Sequence, residues 1–234
     1  MYNWLVMKRF YQVITGSFKG KGKRINEDGV FVFSEDDYLL LVVLDGVGSA
    51  RGAKKSVTFA KKYLAKNFRN SYTKGYFDLG GLLKMLNNAI LNSGIEEAYS
   101  ACVMLYLPLR DGKNVKHVNL GDSRVYSVGK QYFSRISTDH ALPGSSNIIT
   151  KYLGKEDLSE SDYREHICTN HENRFFLCTD GVYSQIENLG EDLSKFHNVL
   201  FYKYMKRIQN GIKKFIYGNN TDDASYIYVR LSDV

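Results

Sequence analysis

Only two prolines, Pro108 and Pro143, occur in 234 residues, and no Pro-, Gly- or Ser-rich tract divides the chain. With no linker or repeat, residues 1–234 read as one domain. Cysteine is also scarce: Cys102, Cys168 and Cys178 are an odd number, which excludes a fully paired disulfide framework. Two of them sit inside the apolar runs "SACVML" and "RFFLCTD" and read as reduced core residues. No apolar run approaches the roughly 20 residues that cross a bilayer. The start "MYNWLVMKRF" has a short apolar core and no small-residue cleavage site, so no secretory signal or membrane attachment is expected, and the protein is expected to be cytoplasmic.

Charge leans one way. Lys and Arg number 32 against 25 Asp and Glu, a net charge of +7. That surplus admits anionic partners. Lys54, Lys55, Lys61, Lys62 and Lys66 recur along one helical pattern and read as a solvated face. No helix-turn-helix, aromatic RNA-binding signature or zinc knuckle accompanies them, so nucleic acid is not expected and the charge is read as steering phosphorylated substrates.

What is abundant is strand-like patterning. Runs rich in Val, Ile, Tyr and Phe cover 29–33, 38–45, 99–109, 115–121, 124–128, 131–137, 164–169, 174–179 and 225–231. Asp111-Gly112 and Gly129-Lys130 between such runs predict hairpins, hence antiparallel pairing. Three helical stripes stand apart, at 51–68, 80–93 and 191–217. Amphipathic helices mixed with antiparallel strands predict an α+β class, with sheets at the centre and helices outside.

The run Leu39–Leu44 is apolar on both faces and ends on Asp45. A carboxylate at the mouth of a core strand must be solvated in a turn, paired, or bound to a cation. Asp28, Asp45, Asp122, Asp139, Asp180, Asp222 and Asp223 all stand where a strand meets a turn. Each alone is an ordinary turn or cap residue. The strands before Asp45, Asp122 and Asp180 are so apolar that their ends should lie side by side. Clustered carboxylates then need positive charge among them, and oxygen ligands without imidazole or thiolate select a hard cation, Mg²⁺ or Mn²⁺. Asp45 is therefore expected to be a metal ligand. Gly46 fits beside it, since a residue without Cβ permits a sharp turn and offers a backbone carbonyl.

The fragments "NED", "VVLDGVGS", "VNLGDSRVY", "STDHA", "NIITKYLG", "FFLCTDGVY" and "DDASYIYV" occur in an order that resembles the metal-dependent serine/threonine protein phosphatases (the PPM or type 2C family), in particular its compact bacterial members. The resemblance runs from about residue 12 to 231. It implies two mostly antiparallel sheets packed face to face and flanked by helices, an αββα sandwich. It also implies hydrolysis of phosphoserine and phosphothreonine by a water activated between two Mg²⁺ or Mn²⁺ ions. On that reading Asp45 bridges both ions, the Gly46 carbonyl joins the first, and Asp180 and Asp222 hold the second. Asp28 acts through metal-bound water with Glu27 in support, and Asp122 with Asp180 binds a third, weaker ion. Arg124 and Asp139 look structural. The family's phosphate-binding arginine falls on Lys23, with Arg24 one residue later, and the choice between the two stays open. The implied partners are a phosphorylated protein and a cognate Ser/Thr kinase, with the chain acting as a monomer.

Some features depart from the pattern or compete with it. Val47 stands where some members carry a histidine that protonates the leaving group, and 141–170 holds the family's variable substrate flap. His166, Cys168, His171 and Cys178 could be scored as a zinc set, but they lack a C-x2-C knuckle. Cys168 to Arg174 has the C-x5-R spacing of cysteine-dependent phosphatases, without the glycine that brings backbone amides onto phosphate. The rival from another class is a non-catalytic phosphoprotein-binding domain on the same fold.

Overall fold

The longest apolar run folds as a central strand whose two faces set the layering of the molecule. The computed structural model describes residues 2–7, 10–109, 114–169, 173–187, 189–190 and 193–232. In chain order these form β1 (Tyr2–Met7), β2 (Tyr11–Phe18), β3 (Gly29–Ser34), β4 (Tyr38–Gly46), α1 (Ala53–Asn67), β5 (Tyr72–Thr73), β6 (Tyr76–Phe77) and α2 (Leu79–Leu91). There follow β7 (Ser100–Pro108), β8 (Lys116–Leu120), β9 (Arg124–Val128), β10 (Phe133–Arg135), β11 (Ala141–Leu142), β12 (Ser145–Ile149), β13 (His166–Ile167) and β14 (Arg174–Cys178). The chain closes with α3 (Asp180–Glu187), α4 (Leu193–Val199), α5 (Met205–Ile216) and β15 (Ala224–Leu231).

Side chains alternate along β4, as a pleated strand requires. Leu39, Leu41 and Val43 face the second sheet, where they meet Val103 and Leu105 of β7, Phe175 and Leu177 of β14, and Ile227 and Val229 of β15. Leu40, Val42 and Leu44 face the other way, onto Val57, Ala60 and Leu64 of α1 and Leu82, Leu83 and Leu86 of α2. A third cluster buries Phe176, Tyr226 and Tyr228 under Phe196 of α4 and Ile208 and Ile212 of α5. The result is helix, sheet, sheet, helix, the expected α+β sandwich. One sheet runs β1-β2-β15-β14-β9-β10 and the other β13-β8-β7-β4-β3, with every pairing antiparallel.

Several sequence expectations need adjustment. The expected helix 191–217 is two helices, α4 and α5, separated at 200–204. Apolar periodicity runs on across the break, but side chains from β15 take the carbonyls that a continuous helix needs. The Tyr228 hydroxyl donates to the Leu200 carbonyl at 2.7 Å, and the Arg230 guanidinium donates to the Tyr202 and Lys203 carbonyls at 3.5 and 3.3 Å. Helix α3 was not expected, and β1 and β2 were not among the predicted strands. Gly16 interrupts the pattern of β2 because the Tyr226 ring lies against it: a Cβ there would stand 2.3 Å from a ring carbon. Around Gly129 the β9–β10 hairpin forms as expected, with Gly129 N–H donating to the Tyr132 carbonyl at 3.0 Å. The Asp111-Gly112 turn lies outside the described residues, although β7 and β8 pair antiparallel on either side of it. Among the described residues no helix is long and apolar enough to cross a membrane.

Leu41 is fully buried between the sheets. Leu41→Ala should cost about 2–5 kcal/mol, read as a fall in the urea midpoint at unchanged slope.

Candidate active site

Alternation that sends Leu39, Leu41 and Val43 between the sheets places Asp45 on the same face at the strand's end, where the apolar filling stops. Asp180 begins α3 directly after β14, and Asp222 lies just before β15, the neighbour of β14. Asp122 sits in the turn between β8 and β9, and Asp28 precedes β3, which pairs with β4. Both sheets therefore deliver acidic termini to one edge.

The electrostatics record how close these groups are. Burial first, then the negative charges of Asp28, Asp180, Asp122 and Asp222, push the Asp45 carboxyl well above the usual range. Burial and Asp222 raise Asp180, opposed by its hydrogen bond to Asp45 and by the Gly181 N–H at the start of α3. Asp28 is pushed up to about 7, chiefly by burial and then by Asp223 and Asp180, against hydrogen bonds from Ser225 and Thr179. Asp122 rises to about 6 through burial and Asp180. Acidic groups from both sheets influence one another here.

Two hydroxyls aim these carboxylates. Thr179 Oγ1 donates to Asp28 Oδ2 at 3.0 Å, and the Tyr183 hydroxyl donates to Asp122 Oδ2 at 3.1 Å. The other oxygen of Asp28, Oδ1, is buried with no hydrogen-bond partner. Arg124 lies over the Tyr183 ring, 3.4 Å from its centroid, and grips Asp139 with Nε and Nη2 at 3.1 and 2.7 Å. Neither Thr179 nor Tyr183 was picked out from sequence, where each reads as an ordinary neighbour of the "TDG" turn.

Lys23, not Arg24, reaches the cluster. Its ammonium pairs with Asp222 Oδ1 and lies 3.6 Å from Asp223 Oδ2, while Arg24 is exposed. Burial alone would lower the Lys23 pKa, but Asp222, Asp223 and Asp45 outweigh it and hold the ammonium charged. Asp222 and Asp223 part ways: the Asp223 carboxylate turns inward and accepts from the backbone N–H groups of Gly20 and Glu27, each at 2.8 Å. This staples the loop carrying Lys23 and Asp28 to the last strand. Burial raises the Glu27 carboxyl, opposed by Lys23. Lys54 also departs from the solvated face expected of it: half-buried, its Nζ donates to the Asp28 carbonyl at 3.3 Å.

Gly46 remains within β4 instead of making a sharp turn. Its missing side chain is required by close approach, because a Cβ would meet those of Glu27 and Ala53 at 3.0 and 3.1 Å. Among the described residues no group of three or more His, Cys, Asp and Glu side chains stands in an arrangement that could hold a metal ion as placed. Asp222 faces Lys23.

Among the described residues neither competing motif forms a site. Cys178 is buried in β14, His166 stacks on His117 at 5.2 Å, and His171 lies outside the described residues. Burial pushes the Cys168 thiol up to about 12, the reverse of what a thiolate nucleophile needs.

A sequence profile described as "Protein phosphatase 2C" matches residues 15–214. Among solved structures the chain is similar to RsbX in complex with magnesium, with 19% identity, a TM-score of 0.72, and coverage of 99% of this chain and 100% of that one. It is similar to the serine/threonine phosphatase Stp1 from Staphylococcus aureus at 17% identity and TM-score 0.75, over 94% of this chain and 95% of that one. The Mycobacterium tuberculosis serine/threonine phosphatase PstP/Ppp aligns at 16% identity and TM-score 0.71, over 96% and 100%. A comparison with curated protein sequences finds no match. The profile spans most of the chain and the sandwich agrees with it: the chain belongs to the protein phosphatase 2C family.

Proposed function

We propose that this protein hydrolyses phosphoserine and phosphothreonine in proteins, using Mg²⁺ or Mn²⁺ held at the carboxylate edge. The observation that carries the reading is the convergence of Asp28, Asp45, Asp122, Asp180 and Asp222 from both sheets, close enough that burial and neighbouring negative charge raise the first four carboxyls. The donor chemistry fits a hard divalent cation, being oxygen only. The orphaned Asp28 Oδ1 supports the fit, because a buried carboxylate oxygen without a donor is costly unless something cationic or protic meets it. Asp45, the Gly46 carbonyl, Asp180 and Asp222 are the groups that would hold two ions, with Asp122 available to a third. When bound, such ions supply Lewis acidity, lowering the pKa of water and offsetting charge on the transferred phosphoryl group.

The chain's own residues do the positioning. Lys23 brings a point charge to the phosphate, and releasing Asp222 frees its ammonium for that contact. Thr179 fixes one oxygen of Asp28, which leaves Oδ1 to accept a hydrogen bond from water. Arg124, itself clamped by Asp139, holds Tyr183 so that its hydroxyl aims Asp122. Val47 carries no titratable group, so the proton for the leaving alkoxide comes from solvent. The reading implies a Ser/Thr kinase that makes the substrate, a cytoplasmic setting, and a chain that needs no second copy to work.

Hydrolysis of p-nitrophenyl phosphate should require Mn²⁺ or Mg²⁺ and be abolished by EDTA. Asp45→Asn and Asp180→Asn should each lower kcat/KM at least about a hundredfold with an unchanged far-UV circular dichroism spectrum. Activity indifferent to chelation, or retained in both variants, overturns the proposal. No turnover with any metal, alongside intact phosphopeptide binding, would favour the non-catalytic reading.

Protonation gives a second test without turnover. Asp28 and Asp122 titrate near about 7 and about 6 in the fold, against an ordinary value of 3.8. The folded state thus binds protons that the unfolded chain releases. Their contribution is fully present below the unfolded value and is lost as pH rises through the folded values. Melting temperature without metal should therefore fall from about pH 5 to about pH 8, and Mn²⁺ should restore most of the loss at the upper end. A melting temperature at the upper end that ignores Mn²⁺ would count against the site.

A further inference from the structure

A cleft of about 600 Å³ opens between α4 and α5, and none of the residues lining it belongs to the carboxylate cluster. Lys195, Arg207 and Lys214 bring cations to it, Asn198 and Asn210 bring amides, and Phe215 contributes an apolar wall. Charge around it is segregated. Residues 193–221 contain Lys195, Lys203, Lys206, Arg207, Lys213 and Lys214 and not one Asp or Glu, a net charge of +6 over the segment, which is bounded by Glu191 and Asp192 before it and Asp222 and Asp223 after it.

Helix α5 intensifies the effect at a cost to itself. Lys206 and Arg207 occupy its first turn, which holds no acidic residue. Cations there oppose the helix dipole, whose positive end they share. Lys213 and Lys214 in its last turn are favourably placed for the dipole, so α5 carries cations at both ends and only the first pair is there against the helix's own preference.

We propose that the α4–α5 cleft docks an acidic, Asp- and Glu-rich polypeptide segment of the phosphoprotein substrate, separately from the edge that handles phosphate. That the segment belongs to a substrate rests on the phosphatase reading; that the cleft binds acidic polypeptide does not. Charge complementarity selects the ligand's sign, and the two amides can pair with peptide N–H and C=O groups along an extended backbone. Single-stranded nucleic acid is the poorer fit, because stacking successive bases needs several open ring faces, and of the residues lining the cleft only Tyr202, 44% exposed, offers one, while Phe215 meets Phe196 at 5.5 Å. An anionic membrane fits poorly too. The apolar groups of the cleft, Val199 and Phe215, are buried and half-buried within a concavity, where they cannot enter an acyl layer.

The test is fluorescence anisotropy with a short labelled Glu-rich peptide that carries no phosphate, at low ionic strength. Wild type and Asp45→Asn should bind it alike, with affinity falling as salt rises. The pair Arg207→Glu and Lys214→Glu should weaken binding by roughly tenfold or more, and the milder pair Arg207→Gln and Lys214→Gln should weaken it less, while both keep wild-type hydrolysis of p-nitrophenyl phosphate. Lys62→Glu with Lys66→Glu on α1 makes the same change in net charge elsewhere and should leave binding within about twofold. No peptide binding, equal loss in the α1 control, or tighter capture of poly(U) or phosphatidylserine vesicles through Arg207 and Lys214 would overturn the proposal. Peptide binding that persists and depends on Arg207 and Lys214 in a protein with no phosphatase activity would keep the docking site and remove the catalytic reading.

Discussion

Repulsion between carboxylates is the constraint on which this molecule turns. Asp28, Asp45, Asp122 and Asp180 are held where burial and neighbouring negative charge make ionisation of each harder. The compensation is distributed: three hydrophobic clusters, one between the sheets and one under each helical layer, supply the stability that lets one edge be strained. A site of this kind belongs at a sheet edge, where rigid strands end and solvent begins.

The loop bearing Lys23 and Asp28 shows how the strain is contained. It has no regular structure of its own, yet Asp223 anchors it at Gly20 and Glu27, and Lys23 threads a positive charge among the acids. A lone lysine is a mobile counter-ion on a tether. Its compact charge on a flexible stem pairs with Asp222 without the fixed orientation that an arginine's planar fork would impose.

Much of this was legible in the residues, for reasons that differ by element. The strand 38–46 was readable because burial on both faces leaves no polar position to confuse it, and the acidic termini were readable because they break such runs abruptly. Strand β2 was hidden because Gly16 yields its place to the Tyr226 ring, a partner more than two hundred residues away. The break between α4 and α5 was hidden for the same reason, since Tyr228 and Arg230 of a distant strand impose it. At the site, spacing singled out the carboxylates but not the hydroxyls that aim them, and it left Lys23 and Arg24 equivalent until the fold turned one inward. The Asp28 contact of Lys54 was likewise invisible, because a lysine on a helical stripe reads as solvated.

The placement of β15 carries a consequence for how the protein is made. Strand β15 lies between β2 and β14, so the six-stranded sheet has a gap at its centre until residues 224–231 have been made. During synthesis the first strands must wait, unpaired along one side, while some two hundred residues are added at the ribosome. Contacts of such long range close slowly, and the nascent chain exposes an apolar sheet edge in the meantime. A polypeptide lacking residues 222–231 would lose Asp222, the Asp223 anchor and the strand between β2 and β14 together, a product suited to proteolysis and not to partial function.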